Sequence, residues 1–198
     1  MEFKESGFYI VRNFLELDFV KFIQNYFHTR ICAGQYQKID PQAPFSFSFY
    51  GDPVMDTILD GSVKTLSQIS GINLLPTYTY TRFYGKNDEL IIHRDRPSCE
   101  ISATLALGFP EDQGINPIYF SKNEDKSDAI KVELNLGDLC IYKGCELYHW
   151  RPRFNQDWYL QTFLHYVDAN GEFKDNLYDG RDYLGMPRKV QDNTQTGT

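Results

Sequence analysis

The sequence predicts a mainly β protein of the α+β class: an all-β barrel or double-sheet jelly roll, with two N-terminal helices packed on one outer face. Strand-like runs separated by turn residues occupy the chain from about residue 77 to residue 168. Aromatic residues, which favour strands, make up 16% of the chain. With 198 residues, 41% of them hydrophobic, the chain is long enough for one domain with a packed core.

Two segments with helical periodicity precede these strands. A short β-rich run, Phe8–Val11, opens the chain. Apolar pairs at 19–20, 22–23 and 26–27 then recur at helical spacing and predict a helix over about 16–29. A second helix is expected over 53–70, because Asp52 is a good N-cap and proline suits the first helical position.

Eight runs after these helices have the composition of β-strands, and the run 99–107 also alternates as a strand does. They are 77–84, Leu90–His93, 99–107, 115–121, 129–136, Leu139–Lys143, 147–151 and Trp158–Asp168. Turn residues, such as those at 85–88 and 135–138, separate them. We expect residues 1–190 to form one domain and the polar tail 191–198 to be disordered.

A candidate metal site lies at the end of the second of these strands. His93 and Asp95 are two residues apart, so both side chains point to one face if the strand continues into the loop. His149, on a later strand, supplies a third ligand, and the chain contains only 4 His. Two imidazoles and one carboxylate leave other metal positions open, which is the ligand set of non-haem Fe(II) oxygenases.

Composition narrows the range of partners. A net charge of −7 argues against a general nucleic-acid binder, since affinity for phosphate backbones is largely cationic. The sequence has no apolar run of the roughly 20 residues that span a membrane, and its N-terminus lacks a signal-peptide core. We therefore expect a cytoplasmic protein that acts on a small molecule or a peptide, in an oligomeric state that the sequence leaves open.

The order of these elements resembles the Fe(II)/2-oxoglutarate-dependent dioxygenases, and most closely their prolyl 4-hydroxylase-like branch. The resemblance runs from about residue 78 to residue 168. Its parts, in chain order, are Tyr84 on the entering strand, 93–95, the strand 101–107, the turn 136–138, His149 and the aromatic strand that ends at 166–168. The opening run 7–15, followed by a helix, is also common in that branch.

This resemblance implies a double-stranded β-helix core in which His93, Asp95 and His149 hold Fe(II). It also implies 2-oxoglutarate as cosubstrate and O2 as oxidant, with ascorbate as a reductant, and no catalytic residue beyond the metal ligands. The expected reaction is hydroxylation with release of succinate and CO2. Because residue 95 is Asp and not Ala or Gly, the protein leaves no gap for a halide. Peptidyl proline, an amino acid and a small metabolite all remain open as substrates.

One feature departs from the family pattern. A Lys or Arg about ten residues after the distal His usually binds the far carboxylate of 2-oxoglutarate, but 157–160 contains none. By strand parity we expect Arg151 to take this role, with Arg82 as the second candidate and Tyr84 as a neighbouring hydrogen-bond donor.

The same parity argument predicts the substrate pocket. His165 and Gln161 share one face of the last strand, and Arg96 follows the metal-binding motif. Two other interpretations remain open at this stage. One is a non-oxidative metal barrel of the cupin type, acting as a binding module or isomerase. The other is a barrel without metal.

Overall fold

The computed structural model describes residues 2–37 and 43–187, so the predicted tail 191–198 lies outside the described residues. Its α-helices are α1 (Phe3–Ser6), α2 (Leu17–Cys32) and α3 (Pro53–Ser70). Its strands are β1 (Phe8–Val11), β2 (Phe47–Tyr50), β3 (Leu74–Gly85), β4 (Leu90–His93), β5 (Ile101–Gly108), β6 (Ile118–Ser121), β7 (Ile130–Val132), β8 (Leu139–Lys143), β9 (Tyr148–Arg151) and β10 (Trp158–Asp168). Short 3₁₀ segments occupy Pro97–Cys99, Glu111–Gln113 and Lys174–Gly180.

The two long helices form where the sequence predicts them. Asp52 begins α3 by accepting hydrogen bonds from the backbone N–H groups of Val54 and Met55, and Gly71 ends the helix with a φ of 69°. Helix α2 continues three residues past its predicted end, to Cys32. The one-turn helix α1 was not predicted. Within the described ranges, no helix is long and apolar enough to cross a membrane.

The strands form two antiparallel sheets, as expected for a double-sheet jelly roll. The larger has the order β1-β8-β5-β10-β3-β2 and the smaller the order β4-β9-β6-β7. The sheets face each other, since the ring of Tyr142 on β8 lies 4.9 Å from the ring of His149 on β9. Strand β7 is shorter than the predicted run 129–136, because its partner β6 offers only four residues and the ladder ends at the Ile118–Val132 pair.

The outer face of the larger sheet carries the hydrophobic core. Leu105, Leu160 and Leu164 are at most 1% exposed and pack with side chains of both long helices, including Ile23 and Leu59. Burying a leucine side chain contributes about 1.5–3 kcal/mol. This confirms the prediction that the helices cover one outer face, and it leaves the inner face to bound the space between the sheets.

Candidate active site

Strands β4 and β9 bring the three predicted metal ligands together. His93 ends β4 and lies opposite His149 in the antiparallel register, while Asp95 follows in the loop. One ligand atom from each residue lies within 4.8 Å of the others. The Oδ1 atom of Asp95 is 3.5 Å from Nε2 of His93 and 3.4 Å from Nε2 of His149.

The tautomer of each histidine is fixed by the backbone carbonyl group of the residue two positions earlier. Nδ1 of His93 lies 2.7 Å from the carbonyl oxygen of Ile91, and Nδ1 of His149 lies 3.0 Å from that of Leu147. Because a carbonyl only accepts, each Nδ1 carries the proton when the ring is neutral, and each Nε2 then keeps the lone pair that a metal would use. With no metal bound, burial opposes ionisation of Asp95, yet the charge of His149 and the hydrogen bonds that His149 and His93 donate hold its pKa well below the usual range.

These atoms fit a transition metal. Neighbouring ligand atoms about 2.1 Å from a metal lie about 3 Å apart at right angles. The observed separations of 3.4 and 3.5 Å exceed that by a distance that small side-chain rotations remove. The two nitrogen donors and the oxygen donor belong to residues that line a cavity.

The carboxylate of Asp95 is held by groups that the sequence did not point to. Ser102 Oγ donates to Asp95 Oδ2 over 2.7 Å, and the Asp95 amide donates to the Gly144 carbonyl over 2.9 Å. A Cβ atom at Gly144 would lie 2.5 Å from Asp95 Oδ2 and 2.2 Å from the Cys99 carbonyl oxygen. Residue 144 therefore has to be glycine for the carboxylate to keep its position.

A cavity of about 340 Å³ opens beside the metal-binding residues. Its wall contains cationic and aromatic side chains from both sheets and the loop after β4. Besides the three candidate ligands, they are Tyr78, Tyr80, Arg82, Leu90, Arg94, Arg96, Cys99, Tyr142, Phe163 and His165. Of the predicted pocket residues, Arg96 and His165 are in this wall, whereas Gln161 is fully buried and its amide donates to Thr104 Oγ1 over 2.8 Å.

Arg96 joins the cavity to the C-terminal part of the chain. Its guanidinium donates two hydrogen bonds, of 2.8 and 2.9 Å, to the carboxylate of Asp179. Tyr50 donates a third to the same carboxylate over 2.6 Å. Burial raises the pKa of Asp179, but the bonds from Arg96 and Tyr50 outweigh it and lower the pKa to about 2. This clamp was not predicted, because Asp179 lies 83 residues from Arg96 in sequence.

The interior also holds the candidates for binding a distal carboxylate. Arg151 is 2% exposed, donates to the Asn116 carbonyl over 2.6 Å and lies with its guanidinium carbon 5.2 Å from the ring centre of Tyr159. Among the described residues, Arg151 Nε, the Tyr159 hydroxyl and Gln161 Oε1 are buried without a hydrogen-bond partner. Such atoms are rare in folded proteins and call for a ligand or a water molecule.

Tyr84 and Arg82 lie next to this group. Tyr84 is fully buried and stacks on Phe154 with ring centres 4.5 Å apart. Arg82 donates to the Tyr84 hydroxyl over 3.3 Å and also reaches the cavity wall. All three predicted cosubstrate-binding residues therefore lie in the interior, as strand parity predicted. Tyr84 and Arg151 are buried outside the cavity wall, whereas Arg82 forms part of it.

Comparison with protein-family models and with curated proteins finds no match, whereas solved structures show similar folds. One is a prolyl-4-hydroxylase of Pseudomonas putida, with a TM-score of 0.67 and 16% identity over 84% of this chain and 95% of that chain. A second is HygX of Streptomyces hygroscopicus with nickel and 2-oxoglutarate bound, with a TM-score of 0.65 and 13% identity over 85% of each chain. A third is SnoN, a non-heme alpha-ketoglutarate-dependent epimerase from nogalamycin biosynthesis, with a TM-score of 0.68 and 15% identity over 96% of this chain and 93% of that chain. The resemblance to the prolyl 4-hydroxylase-like branch is thus confirmed at the level of the fold.

Proposed function

We propose that this protein is an Fe(II)- and 2-oxoglutarate-dependent oxygenase that hydroxylates its substrate. The observation that carries the proposal is the convergence of His93, Asp95 and His149 beside an open cavity, inside a jelly roll of the prolyl 4-hydroxylase type. Both imidazoles present Nε2 and the carboxylate presents Oδ1, which is the donor set that Fe(II) oxygenases use.

Each residue has a separate task in this site. His93 and His149 bind the metal through Nε2, and their Nδ1–H groups keep the rings oriented. Ser102 occupies Asp95 Oδ2 and so favours binding of the metal through Oδ1 alone. With 2-oxoglutarate and O2, the bound iron supplies the oxidising chemistry, in which hydroxylation accompanies release of succinate and CO2. Asp95 fills the protein's third ligand position, which favours hydroxylation over halogenation.

Arg151 is our choice for binding the far carboxylate of 2-oxoglutarate. Placing a dianion between the sheets requires a buried countercharge, because an unpaired carboxylate is costly to desolvate. Arg151 has an unused Nε–H, and the Tyr159 hydroxyl beside it has no acceptor among the described residues. Burial raises the pKa of Tyr159, so this hydroxyl keeps its proton and is available as a donor. Tyr84 and Arg82 form the second candidate site.

The size of the cavity limits the substrate. Small-molecule sites span about 300–1,000 Å³, and this cavity, at about 340 Å³, lies at the lower end of that range. We therefore propose that it admits a small molecule or a single side chain of a peptide.

The test is anaerobic titration with Fe(II), followed by measurement of succinate after addition of 2-oxoglutarate, ascorbate and O2. We expect one Fe(II) per chain and slow succinate formation even without substrate. Iron binding without succinate, across a broad panel of candidate substrates, would instead favour a non-oxidative metal barrel of the cupin type. The lack of a basic residue at 157–160 is the observation that keeps this second candidate in view.

A further inference from the structure

His165 is a buried histidine near the three candidate metal ligands, but it does not belong to that group. It is 5% exposed and forms part of the cavity wall. Its Nδ1 lies 2.9 Å from Ser102 Oγ, and the same oxygen lies 2.7 Å from Asp95 Oδ2. A chain of hydrogen bonds therefore links the cavity wall to the carboxylate of the metal site.

Only one arrangement of protons satisfies this chain. Ser102 has a single hydroxyl proton, and its two oxygen partners, Asp95 Oδ2 at 2.7 Å and the Cys99 carbonyl at 3.1 Å, only accept, so Ser102 donates to them and foremost to the nearer carboxylate. Ser102 Oγ must then accept from His165, which puts the ring proton on Nδ1. The alternative, in which Ser102 donates to His165, would leave two oxygen lone pairs facing each other across the 2.7 Å between Ser102 and Asp95.

The other ring nitrogen is consequently an acceptor with nothing bound to it. Among the described residues, Nε2 of His165 has no hydrogen-bond partner, and it is not among the sealed polar atoms. It therefore faces the cavity with a lone pair. Burial keeps the ring neutral near pH 7, and bound metal would keep it so by repelling a second proton.

The charges around the cavity restrict the group that can approach this acceptor. Its wall contains three guanidinium groups, those of Arg82, Arg94 and Arg96, against one carboxylate, that of Asp95. The carboxylate of Asp179 pairs with Arg96, and within the described part of the chain Arg94 pairs with no carboxylate and lies over the ring of Tyr148 at 4.8 Å. A cationic donor such as an ammonium group would be repelled by these charges.

We propose that the substrate carries a hydroxyl or amide N–H that donates to Nε2 of His165, and that it is neutral or anionic overall. This inference rests on the proposed function, because it concerns the same cavity. It excludes protonated amines and purely hydrocarbon groups at this position, since the first are repelled and the second leave a buried acceptor unpaired.

The tautomer can be tested without a substrate. The ring nitrogens are observed by nuclear magnetic resonance in protein labelled with ¹⁵N-histidine and loaded with Zn(II) and 2-oxoglutarate. The spectrum is simple because the chain contains only 4 His, two of which are the candidate metal ligands. His165→Gln assigns the His165 signals, and His28→Gln serves as the matched control, because His28 is exposed on α2. We expect the proton of His165 on Nδ1 and a bare Nε2. A proton on Nε2, or a charged ring, would overturn the inference.

Substrate class is tested with matched fragments. Each alcohol, such as 4-(hydroxymethyl)benzoate, is paired with its methyl ether, here 4-(methoxymethyl)benzoate, and with the analogue that has an ammonium group in place of the hydroxyl, here 4-(aminomethyl)benzoate. Each primary amide is paired with its N,N-dimethyl partner. We expect the donors to shift the Nε2 resonance and to bind about three- to tenfold more tightly than their capped partners. His165→Phe should remove this preference, while His165→Gln, which keeps an acceptor, should retain part of it.

The outcomes separate the two proposals. Equal binding of capped partners, a shift of Nε2 by ammonium fragments, or no fragment that shifts Nε2 would each overturn the substrate class. Iron binding and succinate formation are measured on the same wild-type preparation, and thermal unfolding confirms that both His165 variants fold. If iron binding and succinate formation are present but the fragments give one of these contrary results, only the inference about the substrate fails. If they are absent, the proposed function fails, and the tautomer can still be measured in metal-free protein.

Discussion

The two faces of the larger sheet use the same strands for different purposes. On the outer face, Leu160 and Leu164 of β10 are buried against the helices in a mainly apolar core. On the inner face, Gln161 and His165 alternate with them and lie among tyrosines, arginines and hydroxyl groups. Successive strand residues point to opposite faces, so a shift of register by one residue would exchange core and site.

The difference lies in how polar groups are satisfied. Outer-face polar atoms find partners within the protein, as in the 2.7 Å contact between the hydroxyls of Thr81 and Thr162. On the inner side, Arg151, Tyr159 and Gln161 each keep a buried polar atom without a partner in the described ranges. Such atoms destabilise the free protein and become paired when a ligand binds. We therefore expect the outer face to provide stability and the inner face to provide binding.

The largest expected effect belongs to the space between the sheets, which the inner face bounds and into which β9 of the smaller sheet brings His149. His149→Ala removes a ligand that is 1% exposed and cannot be replaced by a nearby side chain. We expect stoichiometric Fe(II) binding to be lost, while the fold remains, because the outer core is untouched. Anaerobic titration and circular dichroism measure the two properties. Wild-type iron stoichiometry in His149→Ala would show that the ligand set is wrong.

An outer-face change should have the opposite profile. Leu105→Ala removes a fully buried side chain from the core between β5 and the helices, and such truncations cost about 2–5 kcal/mol of unfolding free energy. Urea denaturation measures this loss, and Fe(II) titration of the folded protein should give an unchanged stoichiometry. Loss of metal binding by folded Leu105→Ala would mean that the two faces are not separable.

The sequence was sufficient for several features that depend on local pattern. Asp52 and Pro53 predicted the start of α3 at the correct residue, and the β-rich runs between turn residues predicted the bounds of β8 and β10. Strand parity also brought His149 and Arg151 to the interior. These features follow from nearest-neighbour chemistry and from the two-residue period of strands.

Contacts that depend on how strands and loops pair could not be predicted from the sequence. Ser102 and Gly144 both touch Asp95, but only because β5 and the turn after β8 pack against the loop after β4. Asp179 reaches Arg96 from a short 3₁₀ segment that has no periodic signal. A single sequence does not show which segments pair at these points. The groups that hold Asp95 and Arg96 in place are therefore visible only in the structure.

Acid should destabilise the metal-free protein through a residue of the inner face. Burial lowers the pKa of His165 to about 4, whereas an unfolded histidine titrates near 6.5. Between these values the unfolded chain binds a proton that the folded chain does not, so stability falls as pH drops through this window. For metal-free protein we expect a loss on the order of 2 kcal/mol from pH 7 to pH 5. Urea denaturation at both pH values measures it, and His165→Gln should lose less; an equal loss would assign the effect to other groups.

The smallest expected effect tests which arginine binds the cosubstrate. Arg151→Leu removes the buried guanidinium beside Tyr159 but leaves the tyrosine hydroxyl as a donor. We therefore expect the Kd of 2-oxoglutarate to rise about tenfold, near the lower end of what charge-assisted hydrogen bonds contribute. Iron binding should stay intact. Anaerobic calorimetric titration of the metal-loaded variant with 2-oxoglutarate measures the change.

Arg82→Leu is the matched control, because Arg82 is also a nearly buried arginine on the inner face, 7% exposed, and contacts the second hydroxyl candidate, Tyr84. If Arg151 is the anchor, its loss should weaken 2-oxoglutarate binding more than the loss of Arg82 does. The reverse order would move the anchor to β3, the strand whose arginine reaches the cavity wall. Arg151 would then be a structural cation, held by the Asn116 carbonyl and the ring of Tyr159, and the inner face would bind its cosubstrate nearer the entrance than we propose.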